Sequence, residues 1–297
     1  SVGHSQGWAD GRRRTKDPAY GTQDLDFTDR HYYGDALLMP LDLKDVDQRA
    51  LGKPLVLGEC GAKCHPTFKA EDVGGGDDDA ELAARFRALT ARTFGLGGAA
   101  ILAWHWRDPP EGIFPHGLLH ATGTPRAAGK AFARMAQAFG KLELAANAPD
   151  VVVALDEKPR ESAQTRAGYL RQAHALDKAL LHWGANWSKI TSSRIGDCRA
   201  KLILKPEDFG GLSPDELRRT VGDRLRAAGC RIARDAGDPE TLEAYLVPCV
   251  GGVARVFWNG GDKEEDVRRP GVRFALPPKR IGLVVETRGQ APQVEIL

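Results

Sequence analysis

No apolar run in this 297-residue chain approaches the ~18 residues of a membrane-spanning helix, and the mean hydropathy is −0.38. Neither charge is in excess. Forty-two basic residues stand against 40 acidic ones, for a net charge of +2. There is therefore no basic field to hold nucleic acid and no acidic tail to mimic it. Cysteines are few and scattered (Cys60, Cys64, Cys198, Cys230 and Cys249), an odd set that does not read as a disulfide framework. The 34 glycines and 18 prolines fall short of a low-complexity composition. The opening stretch begins at Ser1, lacks the apolar centre of a signal peptide and leaves the compartment open. What remains is an ordinary globular composition, 42% hydrophobic and 28% charged, with length for about two domains.

Short apolar runs alternate with amphipathic stretches over the first half. Leu55-Val56-Leu57-Gly58 reads as a buried parallel strand, and Ala99 to Trp104 as another. Between them Asp77, Asp78 and Asp79 are natural helix caps. Leu82, Phe86, Leu89 and Phe94 then recur near helical spacing up to a stop at Gly95. A helix from about Pro125 to Phe139 follows, with the proline suited to its first turn. Strand, helix, strand, helix is the order of a parallel α/β sheet or barrel.

Residues 146–150 read as a linker. Beyond it Val151–Leu155 and Lys201–Leu204 are expected strands, and residues 162–183 an expected helix. A further helix begins at Ser213-Pro214-Asp215-Glu216, and Cys230–Ala233 is expected to close the unit as a strand. This pattern is that of a doubly wound domain. From about residue 250 the runs Val253–Trp258, Val272–Leu276 and Ile281–Val285 have no helix between them, which suggests a small antiparallel β module, cut short at Leu297.

In parallel α/β architectures, chemistry collects at the carboxyl ends of strands. Three such ends carry suitable residues. "DFTDRHYYG" places His31 and Tyr33 two apart and so on one face if extended; "KPLVLGECGA" ends a buried strand on Glu59; "GAAILAWHWRD" ends one on Trp104. Each also has a plain structural reading. Glu59 could be a solvated carboxylate or an ion-pair partner, Trp104 a core aromatic, and His31 with Tyr33 a buried, satisfied pair.

Taken together, the three segments resemble the sixth, seventh and eighth strands of glycoside hydrolase clan A, the retaining glycosidases built on a (β/α)8 TIM barrel, with family 5 the nearest. "HGLLHATGTPRAAGKAFARMAQAF" resembles the helix after the eighth strand. The resemblance covers residues 1–140 or so. It implies that Glu59 is the catalytic nucleophile, that Trp104 stacks on the sugar, that Tyr33 orients Glu59, and that His31 bonds the sugar or the other carboxylate. A rigid strand end suits a nucleophilic carboxylate, which must be ionised, fixed and aimed. The segment Val151–Asp235 resembles the flavodoxin-like or amidotransferase-like domain behind the barrel of family 42 β-galactosidases. There it packs between subunits without catalysing, which implies a homo-oligomer formed through this domain. An active amidotransferase would need a cysteine at a strand-to-helix elbow, and the strand Lys201–Leu204 leads to none.

The expected organisation is therefore residues 1–145 as the carboxyl-terminal half of a glycosidase barrel, strands five to eight, with Val2-Gly3-His4 ending the fifth. Residues 146–249 follow as a flavodoxin-like α/β domain, then residues 250–297 as the β module. Only 58 residues precede Glu59, room for about two barrel units. The resemblance places the general acid in an Asn-Glu pair on the fourth strand, and no Asn-Glu pair occurs in the sequence. The expected function is retaining hydrolysis of O-glycosyl bonds in carbohydrate metabolism, on an oligo- or polysaccharide, with the chain as given inactive by itself. The alternatives are a non-catalytic carbohydrate-binding or structural protein on a degenerate barrel, and an unrelated enzyme with its site in the second domain. No cofactor is called for. Gly95–Gly98 precedes a strand rather than opening a helix, Cys60-Gly61-Ala62-Lys63-Cys64-His65 lacks a second metal-binding pair, and the three aspartates lack the alternation of a calcium loop.

Overall fold

The computed structural model describes residues 26–34, 36, 38–45, 47, 49–62, 79–110, 116–146, 148–156, 163–235 and 237–297. Val2–His4, Cys64, His65, Asp77 and Asp78 lie outside these residues. Three parallel strands, β1 (Thr28–Tyr32), β2 (Leu55–Cys60) and β3 (Gly98–Ala103), are hydrogen-bonded in sequence order. A short helix α1 (Met39–Asp45) and a 3-10 turn (Arg49–Leu51) join β1 to β2. Helix α2 (Asp79–Gly95) joins β2 to β3, and α3 (Ala127–Phe139) follows β3. Pro125, expected in the first turn of α3, instead stands before its N-cap, Arg126. The α3 stripe Ala128, Ala131, Met135, Ala138 and Phe139 is buried at helical spacing, and Phe94 stacks on Phe139 at 4.6 Å.

A second parallel sheet is ordered β5-β4-β6, from β4 (Val151–Leu155), β5 (Trp187–Thr191) and β6 (Leu202–Leu204). Helix α4 (Ala163–His182) links β4 to β5, and α5 (Pro214–Ala227) follows β6. The start of α5 is as its sequence requires. Ser213 and Glu216 form a capping box, with Pro214 in the first turn. One expectation fails here. Cys230–Ala233 is not a strand: the Arg231 N–H goes to the Asp150 carboxylate and the Ala233 N–H to the Trp183 carbonyl, which leaves neither for a ladder. α4 packs on α5, while β5 meets α1 and the 3-10 turn of the first unit.

The last unit is antiparallel, ordered β12-β11-β8-β7, with a separate β9–β10 hairpin. Its strands are β7 (Leu242–Cys249), β8 (Gly252–Asn259), β9 (Glu265–Arg269), β10 (Val272–Leu276), β11 (Ile281–Thr287) and β12 (Gln293–Ile296). The sheet thus begins at Leu242, ahead of residue 250, because β7 pairs along its whole length with β8. Helix α2 is packed between this sheet and the first one and is buried nearly all round. Gly95 meets the Tyr245 ring so closely that a Cβ would lie 2.2 Å from it. Arg92 bonds the Glu243 carboxylate at 2.9 and 2.5 Å, and that carboxylate also accepts from the Tyr245 hydroxyl. Among the described residues no helix is long and apolar enough to cross a membrane.

A buried ionic cluster joins the first sheet unit to the second. Lys44 is fully buried, and its Nζ donates to Asp47 Oδ2 at 2.8 Å, to the Leu96 carbonyl at 2.8 Å and to the Trp187 carbonyl at 2.5 Å. Arg49 grips both Asp47 oxygens and reaches Asn186 Oδ1 and the Trp187 carbonyl. Ser188 Oγ donates to the Asp47 carbonyl. Burial, helped by the charge of Arg49, pulls Lys44 down to about 7 against the pull of Asp47. Burial pushes Asp47 up, but Arg49 and Lys44 outweigh it and hold the carboxyl at about 2.

Asp47→Ala strands two buried cations and should cost about 3–5 kcal/mol in urea unfolding. Lys44→Met leaves the Arg49–Asp47 fork whole and should cost clearly less. Asp47 also lends stability that is present above the ordinary carboxylate range and is lost as pH falls from about 4 towards 2. The acid limb of the stability curve should therefore flatten in Asp47→Ala. Equal costs for the two variants, or an unchanged acid limb, would contradict this assignment.

Candidate active site

The carboxyl ends of β1, β2 and β3 lie side by side. Along β2, Leu55 and Leu57 are buried, and the register against β3 slips between Leu57 and Cys60. Between Asp29 and His31 the β1–β2 register slips as well, with the extra residue in β2, and this sets His31 opposite Glu59 in the ladder. Asp29 and His31 are two apart in the strand. The Asp29 carboxylate accepts from the Gly58 N–H at 2.8 Å and lies 3.4 Å from His31 Nε2. On the other side of the imidazole, His31 Nδ1 contacts Glu59 Oε2 directly. The result is a carboxylate–imidazole–carboxylate row, with His31 and Glu59 side chains 23% and 24% exposed. Glu59 is thus reachable but held at one oxygen. Gly58 is required beneath this row, because a Cβ there would lie 2.1 Å from Asp29 Oδ1.

The aromatic pair stands at the neighbouring strand ends. Trp104 follows β3, and its N–H donates to the Cys60 carbonyl at 2.6 Å, which carries the β2–β3 pairing one residue further. Its ring meets the Tyr33 ring edge-on, with centroids 5.9 Å apart and planes at 88°. The peptide between Trp104 and His105 is cis. The loop beyond is sewn down by Leu118 N–H to the His105 carbonyl and Leu119 N–H to the Trp106 carbonyl. Asp108 anchors it from below, accepting from the Gly117 N–H and from Arg126. Burial pushes the Asp108 carboxyl up, but the bonds from Arg126 and Gly117 outweigh it and hold it below its usual range. Trp106 is not a packing residue, since it is 69% exposed.

All four residues picked out in the sequence come together at these strand ends: His31 with Glu59, and Tyr33 with Trp104. Two others belong with them. Asp29, behind His31, was visible as an acid two residues upstream on the same face. Arg85, from the inner side of α2, donates through Nε to the Gly61 carbonyl at 2.6 Å and through Nη2 to the Gly34 carbonyl at 2.7 Å. It ties the loop after Glu59 to the loop after Tyr33. Nothing local in the sequence marks it, because its partners are backbone carbonyls far away along the chain.

No protein-family model and no curated protein sequence matches this chain. Solved structures do. The β-galactosidase of the Antarctic haloarchaeon Halorubrum lacusprofundi aligns over 93% of this chain and 62% of its own, with a TM-score of 0.63 at 13% identity. The cold-adapted β-galactosidase of Rahnella sp. R3 aligns over 89% of this chain and 60% of its own, at 0.63 and 11%. A catalytic mutant of a family 42 β-galactosidase from G. stearothermophilus covers the same shares, at 0.58 and 10%. The chain spans about three fifths of the length of these structures. Its fold is that of clan A glycoside hydrolases and is related to that of family 42.

Gly61 offers a direct check on the aromatic corner. A Cβ there would lie 2.3 Å from the Trp104 carbonyl oxygen and 3.3 Å from the Tyr33 ring, and the first of these is backbone that cannot swing aside. Gly61→Ala should cost about 1–3 kcal/mol and change the near-ultraviolet dichroism of the Trp104–Tyr33 pair. An unchanged melting point and spectrum would contradict the placement.

Proposed function

We propose that this chain carries the nucleophile side of a retaining glycoside hydrolase, with Glu59 as the nucleophile and an oligo- or polysaccharide as substrate. The observation that carries the reading is the grip of His31 on one Glu59 oxygen beside the Tyr33–Trp104 corner, at the end of a buried parallel strand. With Oε2 engaged, Oε1 is the oxygen left to attack an anomeric carbon. Asp29 fixes the far nitrogen of His31, so the imidazole cannot turn away. Trp104 offers an apolar platform for a pyranose ring, and Tyr33 holds that platform edge-on. Arg85 fixes both strand-end loops and so the distance between nucleophile and platform. Fixing reacting groups in this way is a large part of what a hydrolase contributes.

Retention needs a second carboxyl group about 5–5.5 Å from the first, to protonate the leaving oxygen. In this reading it stands on a barrel strand outside the present chain. Asp29 is a poor substitute, because it is buried behind His31 and already accepts from Gly58. Residues 1–145 would be the catalytic unit, and residues 146–249 and 250–297 would support it. None of the three thiols of the second unit is activated: burial raises Cys198, Cys230 and Cys249 above their usual value. A cavity of about 330 Å³ lies beside Phe209 and Gly211, but its polar side chains are Arg171 and Gln172, without an acid or a thiol. An oligomer formed through the second unit completes the proposal.

The test is hydrolysis of a panel of nitrophenyl glycosides, galactosides first, by the full-length protein and by this chain. The full-length protein should be active, and Glu59→Ala should fall to background. His31→Ala should lose about 10²-fold in kcat with little change in KM, since it positions the nucleophile rather than the sugar. The chain alone should be inactive, lacking general acid assistance worth about 10²–10⁴ in rate. Full activity in Glu59→Ala would overturn the assignment. Saccharide binding without turnover in the full-length protein would favour a binding protein on a degenerate barrel.

A further inference from the structure

Among the described residues most buried charge is matched by an opposite charge, but one group of cations, two half-buried and one exposed, is not. Arg87 stands on α2, Arg134 on α3, and Arg280 on the turn that leads into β11. These elements converge. α2 packs on α3 through the Phe86–Phe132 edge-to-face pair, with centroids 5.3 Å apart, and α2 also touches β11. Arg134 reaches across to β12 and donates to the Ile296 carbonyl at 2.9 Å. Ile296 adjoins Leu297, which exchanges backbone hydrogen bonds with Ile281, the residue after Arg280.

Among the described residues the three guanidiniums have no acid between them. No described carboxylate pairs with Arg87, Arg134 or Arg280, and the buried Nε of Arg87 has no acceptor among the described residues. Arg87 and Arg280 are half-buried, so water screens them incompletely. Burial and the repulsion of Arg280 and Arg134 bring Arg87 down to about 10.

The chemistry that fits such a group is narrow. A neutral ligand leaves the repulsion in place, and chloride offers no directed acceptors. A monocarboxylate brings one charge against three. A phosphate group brings close to two charges at neutral pH and three acceptor oxygens, and guanidinium forks match its edges two bonds at a time. We propose that Arg87, Arg134 and Arg280 form a binding site for a phosphate group, either free phosphate or the phosphate of a small phosphorylated metabolite. The site takes an anion from outside the molecule to complete a charge balance that the described residues leave open. None of its residues touches Glu59, so it stands independently of the glycosidase reading.

Isothermal titration of this chain with inorganic phosphate and with glucose 6-phosphate, against sodium chloride at equal ionic strength, tests it. Saturable binding of one phosphate group is expected, with no saturable heat from chloride. Arg87→Met and Arg280→Gln should each weaken it by about tenfold or more, and Glu59→Gln should leave it unchanged. Equal affinity for both probes would identify free phosphate as sufficient, and tighter binding of the ester would identify the metabolite. Arg280→Gln changes a side chain without hydrogen-bond or ion-pair partners among the described residues, which keeps the test readable if Arg87→Met folds poorly. Absence of saturable binding at about 10 mM of either probe, or binding that both arginine variants retain in full, would overturn the proposal.

Discussion

Lys44 donates three hydrogen bonds in a place without water, to one carboxylate and to two backbone carbonyls from different units. Burying an ammonium and a guanidinium together is costly, and the cost is offset only because each finds directed acceptors. The acceptors are fixed points of the fold: Leu96 at the exit of α2, and Trp187 at the start of β5. Gly97 is demanded twice by this arrangement. Its φ of +91° suits glycine, and a Cβ would fall 1.7 Å from Arg49 Nη1. An apolar seam would tolerate sliding, whereas this cluster has one geometry in which every donor is met. It therefore fixes the entry into β3 against the second sheet.

From that anchor the site follows through α2. Arg85 and Arg92 stand seven residues apart and so on one side of the helix: Arg85 clamps the loops after β1 and β2, and Arg92 is locked to Glu243, while Gly95 meets the Tyr245 ring. The antiparallel unit thus supports the strand ends of the candidate site at one remove, through a buried helix. Such a helix transmits displacement because its neighbours leave no free volume. Glu59 is two residues before Gly61, which Arg85 holds, and Gly61 in turn packs against Trp104. Their spacing depends on packing well behind the carboxylate itself.

Local signals were sufficient where structure is local. The capping box at Ser213, the stop at Gly95 and the apolar runs of β2, β3 and β4 were all legible because propensity and burial agree there. β5 was not, because Trp-Ser-Lys-Ile-Thr carries a lysine on its buried side. Only tertiary structure supplies Asp177, 2.6 Å from Lys189. Cys230–Ala233 failed in the opposite sense: its apolar character is strand-like, but Asp150 and Trp183 take its N–H groups. Glu59, His31, Tyr33 and Trp104 could be grouped from the sequence because all four stand at or just beyond strand ends. The bond between His31 and Glu59 could not, since it depends on a register slip between β1 and β2 that no alternation pattern records.

The account turns on Glu59 being the atom source of a covalent bond to the sugar. An activated 2-deoxy-2-fluoroglycoside carries a leaving group that departs without a proton, so the nucleophile can be trapped independently of the general acid. The full-length protein would be incubated with such a reagent, digested, and its peptides weighed. One fluoroglycosyl adduct on the Glu59 carboxylate is the predicted result. An adduct on a different carboxylate, or turnover of the reagent without any adduct passing through Glu59, would contradict the account.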